Sequence, residues 1–418
     1  MKILVINSDS AGCFQYRCVI PFDELRRYNV EYSAYPYLPR IPEHEGGKTL
    51  DTFIRFVEPY DLVVIQRCYL FDIAFMIRQV CDILGKPFVF ETDDDYLNIP
   101  QHNPVYAEMH KTGQMEKFVN ILSMADYVTV TTEELKRIYY RFNKNIAVFP
   151  NNVERVHYFK DIGEMPVDER GRYTPIVKQG FLHIPSYVTS ENEVNKVGTK
   201  VIRIGYSCNR THLEDFKTIQ SSLYRTLSKY GPKCLMVYMG DYRANPEDPY
   251  SEYVFGGMHK QAMGPGANVM SIPGNQYYMY HINTRNFDIG IAPLECNMFN
   301  MSKSQIKAVE YGAWGIPAIL PNLITYTREF SNEVNCLTYN TKAEFGKCLE
   351  RLVEEPELRT RLGEAAREHV ATYRLEKVHG RRRFLFYKSL IESKRKLVRF
   401  IPNGNKDRES SGQQSVVA

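Results

Sequence analysis

A chain of 418 residues is too long for one ordinary hydrophobic core and suits two domains. With 44% hydrophobic and 24% charged residues it falls outside the composition of disordered chains, and no stretch approaches the roughly 20 apolar residues that span a bilayer. A net charge of +4 names no partner, and nine cysteines without paired CxxC spacing argue against zinc and against a disulfide framework, which points to a reducing cytoplasm.

In chain order, the opening apolar run at 2–7 is too short for a signal peptide and reads as a first strand. Further apolar runs ending in polar residues follow at 61–66, 87–91, 127–131 and 146–150, with helical stretches at 21–28, 71–84 and 133–142. Strand–helix alternation predicts a parallel, doubly wound sheet whose ligands collect at the carboxyl ends of the strands. Residues 1–153 form this first domain, and 154–200, polar and weakly periodic, reads as a connection with an irregular excursion. A second α/β series spans 201–375, with strands predicted at 203–206, 235–240, 268–272, 288–292 and 318–320. Its predicted helices are 213–230, 304–312 and 342–352. Two such domains facing each other make a cleft, a common place for a small-molecule site.

Residues 376–400 hold nine basic side chains, Arg381, Arg382 and Arg383 among them, opposed only by Glu376 and Glu392. Interleaved Phe384, Leu385, Phe386, Leu390 and Ile391 give an amphipathic helix. Its basic face is either simply solvated or a surface for a polyanion, DNA or an anionic membrane among them. The tail 401–418 is polar and reads as disordered.

The most informative stretch runs from Asp288 to Pro317. A buried strand ends near Pro293, and Asn300 or Ser302 can cap a helix that stops at Gly312 or Gly315. Free N–H groups and the dipole at such a start favour an anion. Lys303, Lys307 and Glu310 fall at i, i+4 and i+7, on one face of that helix. They read either as a solvated Lys–Glu ladder or as two cations for a diphosphate with a carboxylate for a ribose diol. Their place after a strand of an α/β domain favours the second reading.

This stretch resembles the donor-binding segment of GT-B glycosyltransferases of the group-1 superfamily, which use nucleotide-sugar donors. Arg203-Ile204-Gly205-Tyr206-Ser207 with Thr211-His212-Leu213-Glu214-Asp215-Phe216 resembles the start of that fold's second domain. The runs 125–132 and 148–152 resemble the last strands of its first. The resemblance covers about 1–395 in motif order. It implies two Rossmann-like domains facing across a cleft, with the helix 376–400 crossing back to the first. It implies donor contacts from Gly12, Arg210, Ser302, Lys303, Ser304, Lys307 and Glu310, with Glu310 at the ribose, and no required cofactor. Many members carry a further Glu at the donor sugar, where this chain has Ser302. A catalytically silent nucleotide or nucleic-acid binding protein is the alternative which that departure raises.

Glu91-Thr92-Asp93-Asp94-Asp95 follows the strand at 87–91. Crowded carboxylates need cations, hydrogen bonds or solvent around them. They could hold a divalent metal through Asp93 and Asp95, supply a general base or acceptor-orienting group, or cap the next segment. The resemblance argues against metal, and Asp93 and Asp94 are read as lining the acceptor side. Ser8-Asp9-Ser10-Ala11-Gly12 follows the first strand, and Arg17 stands as an acceptor or phosphate contact against the alternative of a surface ion pair. The expected reaction moves a sugar from a nucleoside-diphosphate sugar to an acceptor hydroxyl. A hydroxymethylated DNA base, a lipid and a polysaccharide all remain open as acceptors.

Overall fold

In the computed structural model, the structure describes residues 1–7, 12–36, 50–67, 71–111, 113–154, 201–248, 251–264, 266–274 and 277–400. The connection at 155–200, the loop positions 8–11 and the tail 401–418 lie outside them.

The chain builds two six-stranded, all-parallel sheets. In the first, β1 (Lys2–Asn7), β2 (Glu31–Pro36), β3 (Leu62–Gln66), β4 (Phe88–Thr92), β5 (Tyr127–Val130) and β6 (Ile146–Val148) stand in the order β2-β1-β3-β4-β5-β6. The second holds β7 (Ile202–Ser207), β8 (Cys234–Asp241), β9 (Val269–Pro273), β10 (Ile289–Ile291), β11 (Ala318–Pro321) and β12 (Leu337–Tyr339), ordered β12-β11-β10-β7-β8-β9. This is the doubly wound α/β architecture of the GT-B fold. In each sheet the order reverses once, at β1/β3 and at β7/β10, and such switch points open a crevice at the strands' carboxyl ends.

Strands covered on both faces read as unbroken apolar runs, and β3 and β4 are buried at every position. The sequence reading missed β2 and β12. Both are edge strands, and Glu31-Tyr32-Ser33-Ala34-Tyr35-Pro36 has no long apolar run to announce it. The predicted helix 213–230 is broken into two helices, Leu213–Lys217 and Gln220–Tyr230, and is preceded by a 3-10 turn, Arg210–His212.

Closer to the cleft, Gly290 on β10 lets the Tyr311 ring lie against the strand. A Cβ there would sit 2.5 Å from the ring. The helix Ile306–Ala313 ends two residues before Gly315, which takes a left-handed φ of 70°.

The helix Glu376–Phe400 packs on the first domain. Tyr387 stacks on Phe22, Phe384 stacks on Tyr28, and Leu390 and Ile391 are buried. Its charges are partly answered there, Lys394 by Asp126 at 3.0 Å and Arg395 by Asp61 at 2.7 Å. Among the described residues, no helix is long and apolar enough to cross a membrane.

Candidate functional site

A cleft of about 550 Å³ lies between the two sheets, lined from both switch points. The first domain contributes Gly12, Cys13 and Tyr16 after β1, Arg67 after β3, and Asp93, Asp94 and Tyr96 after β4. The second contributes Asn209, Thr211 and His212 after β7, and Phe299, Lys303, Ser304, Lys307 and Glu310 after β10. Its volume falls within the range that holds a drug-sized ligand. Seven residues singled out from sequence are therefore brought together: Gly12, Asp93, Asp94, Lys303, Ser304, Lys307 and Glu310. A Cβ added at Gly12 would meet nothing within 4 Å, so open space lies before that backbone.

The helix expected to open at 302 is instead two. Asn297 caps a short helix, Met298–Ser302, its side chain accepting from Asn300 N, and the chain then extends at Lys303 (φ −63°, ψ 157°). Only after this break does Ile306–Ala313 begin. Ser302 consequently ends a helix and opens none: its Oγ donates to Phe299 O at 2.8 Å and it is buried away from the cleft. Lys303 and Lys307 do not share a helical face, yet the extended turn between them leaves both lining the cleft. Gln305 makes no side-chain cap to Ile306–Ala313, so the first-turn N–H groups of that helix lack this partner.

Lys307 is the most telling residue of this wall. Its Nζ is buried without a hydrogen-bond partner among the described residues, 5.4 Å from the centre of the Tyr206 ring. Burial pushes the ammonium down to about 8, against the favourable field of Asp215. Such a cation is complete only with an anion beside it.

Glu310 is buried with both carboxylate oxygens engaged. Tyr16 of the first domain donates to Oε1, and Tyr280 of the second donates to Oε2 at 2.7 Å. Burial raises this carboxyl to about 7, while the two hydroxyls oppose the rise.

His212, rather than Arg210, lines the cleft. Its Nδ1 meets Asp215 at 2.8 Å, and Asp215 also accepts from Glu295 N and Asn300 Nδ2, each at 2.8 Å. Burial and the neighbouring Lys307 depress the imidazole to about 3, so it is neutral near pH 7 with Nδ1–H donated to Asp215. Against its burial, the hydrogen bond from His212 and the field of Lys303 hold Asp215 ionised. Arg210 is exposed in the turn beside the Tyr242 ring, outside the cleft lining.

On the opposite wall the acidic run divides. Arg67, missed in the sequence reading, stands 3.3 Å from both Asp93 and Asp94. It adopts a left-handed φ of 47°, an uncommon state for a side-chain-bearing residue. Burial and the adjacent Asp93 raise the Asp94 carboxyl. Asp95 belongs to the fold: fully buried, it accepts from Leu97 N at 3.1 Å and from Asn98 Nδ2 at 2.7 Å. Those bonds hold it in a turn, which leaves the Asp93/Asp95 metal reading without its second ligand. The capping reading holds for Asp95 alone.

Two further expectations are corrected. Arg17 is neither a surface ion pair nor an acceptor contact, being 1% exposed. It pairs with Glu91 at 2.7 Å and donates to Phe149 O and Asn151 Oδ1. Arg383 is likewise buried, pairing with Glu376 at 3.1 Å over the Phe149 ring, so it faces no acceptor. Arg381 and Arg382 are exposed.

Residues 257–378 match a family model described as glycosyl transferase-like. No curated protein matches the chain in sequence. Among solved structures, Anabaena HepE in complex with UDP and glucose is 11% identical, with 93% of this chain and 100% of that one covered at a TM-score of 0.61. Sucrose-phosphate synthase of Thermosynechococcus elongatus is 13% identical, over 94% and 99% of the two chains at 0.57. A Listeria monocytogenes protein assigned as a UDP-N-acetylglucosamine 2-epimerase is 12% identical, over 94% and 97% at 0.53. The chain therefore has the GT-B fold, and its segment 257–378 is similar to glycosyl transferase-like sequences.

Proposed function

We propose that the protein is a glycosyltransferase that takes a sugar from a UDP-sugar and passes it to an acceptor hydroxyl. The observation that carries this reading is the buried, unpartnered Lys307 ammonium beside Lys303 and an uncapped helix start, all on the cleft. Two cations and free N–H groups suit a diphosphate and the charge that grows on it as it leaves. The HepE complex with UDP, in the same fold, supports the choice of nucleotide.

In the reaction, the bond between the anomeric carbon and the diphosphate oxygen breaks, and the electron pair leaves with UDP. The acceptor oxygen bonds to that carbon. Its proton passes to Asp94, whose proton affinity is raised by burial and by Asp93. Gly12 and Ser304 line the phosphate path, and Glu310 accepts the ribose hydroxyls. Lys303 and Lys307 act on the leaving group, and closure of the two domains keeps water from the donor.

The acceptor presents its hydroxyl to the Asp93–Asp94 wall. A polyanionic acceptor, such as duplex DNA bearing a hydroxymethylated base, would also engage the exposed Arg381 and Arg382. Salt-sensitive duplex binding that vanishes in an Arg381→Ser/Arg382→Ser variant is its expected sign. Without that binding, a lipid or a polysaccharide is the acceptor class.

Calorimetric titration with UDP tests the donor site. Loss of a hydrogen bond to a charged group is worth about 1.5–3 kcal/mol, so Lys307→Ala should weaken UDP by about 10-fold or more. Undiminished binding in the Lys303→Ala/Lys307→Ala double variant would sink the assignment. Incubation with a panel of UDP-sugars, with and without sugar acceptors, then separates transfer from epimerisation and from silent binding.

A further inference from the structure

The carboxylate of Glu310 is held by two domains at once. Tyr16 reaches it from a π-helical turn, Gln15–Val19, on the first domain, and Tyr280 from the helix Tyr277–Thr284 on the second. We propose that Tyr16 is a specificity-determining positioning residue for the donor ribose: with Tyr280 it orients the Glu310 carboxylate so that each oxygen keeps one lone pair for a ribose hydroxyl. This rests on Glu310 as the ribose acceptor.

The geometry carries the inference in three steps. Each carboxylate oxygen has two acceptor directions, about four for the group, and each tyrosine hydroxyl occupies one. A carboxylate restrained at both oxygens cannot rotate, so its remaining directions are fixed toward the cleft it lines. Such restraint is what distinguishes recognition of a diol from attraction to any polar group.

Only the ionised carboxylate accepts at both oxygens, and burial opposes that form. The charged and titratable groups that act on Glu310 are Tyr16, Tyr280 and Lys307, and all three favour the anion. Tyr280 is itself half-buried, with its own proton affinity raised well above the ordinary phenol by desolvation, so it stays a donor.

Third, Tyr16 is rigidly mounted. The next residue, Arg17, is pinned to Glu91, Phe149 and Asn151 of the first domain, and the Tyr16 ring stands edge-on to His281 of the second at 6.4 Å. The hydroxyl therefore reaches Glu310 only while the domains hold this arrangement. A π-helical turn at that point is a frequent companion of functional sites. Ribose discrimination is thus a property of the closed pair of domains, although the carboxylate belongs to one.

The experiment compares UDP with 2′-deoxy-UDP by calorimetry on the full chain, in wild type and in Tyr16→Phe, Tyr280→Phe and Glu310→Gln. The wild type should prefer UDP by about 10-fold or more, the worth of one hydrogen bond to a charged group. Tyr16→Phe should cut that preference several-fold by weakening UDP alone, with 2′-deoxy-UDP nearly unchanged because the ring still fills its place. Tyr16→Met, which fills the space without a hydroxyl, should repeat the loss through different packing. An unaltered preference in both Tyr16 variants, with Glu310→Gln collapsing it, would overturn the role of Tyr16 and leave the ribose reading standing. A preference that survives Glu310→Gln would overturn the ribose reading itself.

Discussion

The two walls of the cleft handle charge in opposite ways. On the first domain, Asp93 and Asp94 are crowded but answered from within by Arg67. On the second, the Lys307 ammonium is buried with no hydrogen-bond partner among the described residues, and His212 beside it is kept neutral. The first wall carries its own counter-cation and can trade a proton. The second carries a charge the folded protein does not complete, and an anion is what completes it. Where charge is compensated, the fold is served; where it is left over, a ligand is expected.

Stability should separate the walls most sharply. Arg67→Met leaves two carboxylates without their cation and should destabilise the protein by about 3 kcal/mol, the scale of breaking a buried pair. Lys307→Met should do the reverse at pH 7. The folded-state value of about 8 lies below the unfolded value of 10.5, so the protonated lysine costs free energy throughout neutral pH. Removing it should leave the melting temperature equal or higher while UDP binding falls. Melting curves of the two variants with opposite signs are the expected result; parallel losses would erase the contrast.

The next effect in size concerns pH. UDP affinity should rise with pH as Glu310 ionises through about 7, because the proposed ribose contact uses its carboxylate as the acceptor. It should fall again as Lys307 loses its proton through about 8. Titration across pH 6–9 should therefore show a maximum between these values. Glu310→Gln should remove the rising limb and Lys307→Met the falling one. The smallest effect belongs outside the cleft: Arg381→Ser/Arg382→Ser should leave UDP affinity within about twofold, as exposed charges usually do.

Legibility from sequence followed the same division. The cleft residues on strand-end loops were readable because an apolar run followed by polar or small residues marks a strand's carboxyl end, as at Asp93, Lys303 and Gly12. Arg67 left no such signal. One arginine after β3 looks like any other, and only its left-handed backbone and its approach to Asp93 and Asp94 distinguish it. Arg17 and Arg383 misled for a related reason. Composition favours exposed arginines, and their buried partners Glu91 and Glu376 lie 74 and 7 residues away. Tyr16 could not be paired with Glu310 by spacing at all, since 294 residues separate them.

The alternation of apolar runs and helical stretches was enough to call for two parallel α/β sheets, and with them a cleft at the strand ends. That follows from local physics, since each run must bury itself and each helix must cover a face. Whether the stretch after β10 was one helix or two was decided by tertiary contacts. Thr132 of the first domain donates to the Ser302 carbonyl at 2.7 Å, and Asn151 donates to Ser304 Oγ at 3.0 Å. These cross-domain bonds accompany the extended turn at Lys303. Charge compensation was decided the same way, because a carboxylate's partner depends on which loops the sheets bring together, and chain distance carries no record of that.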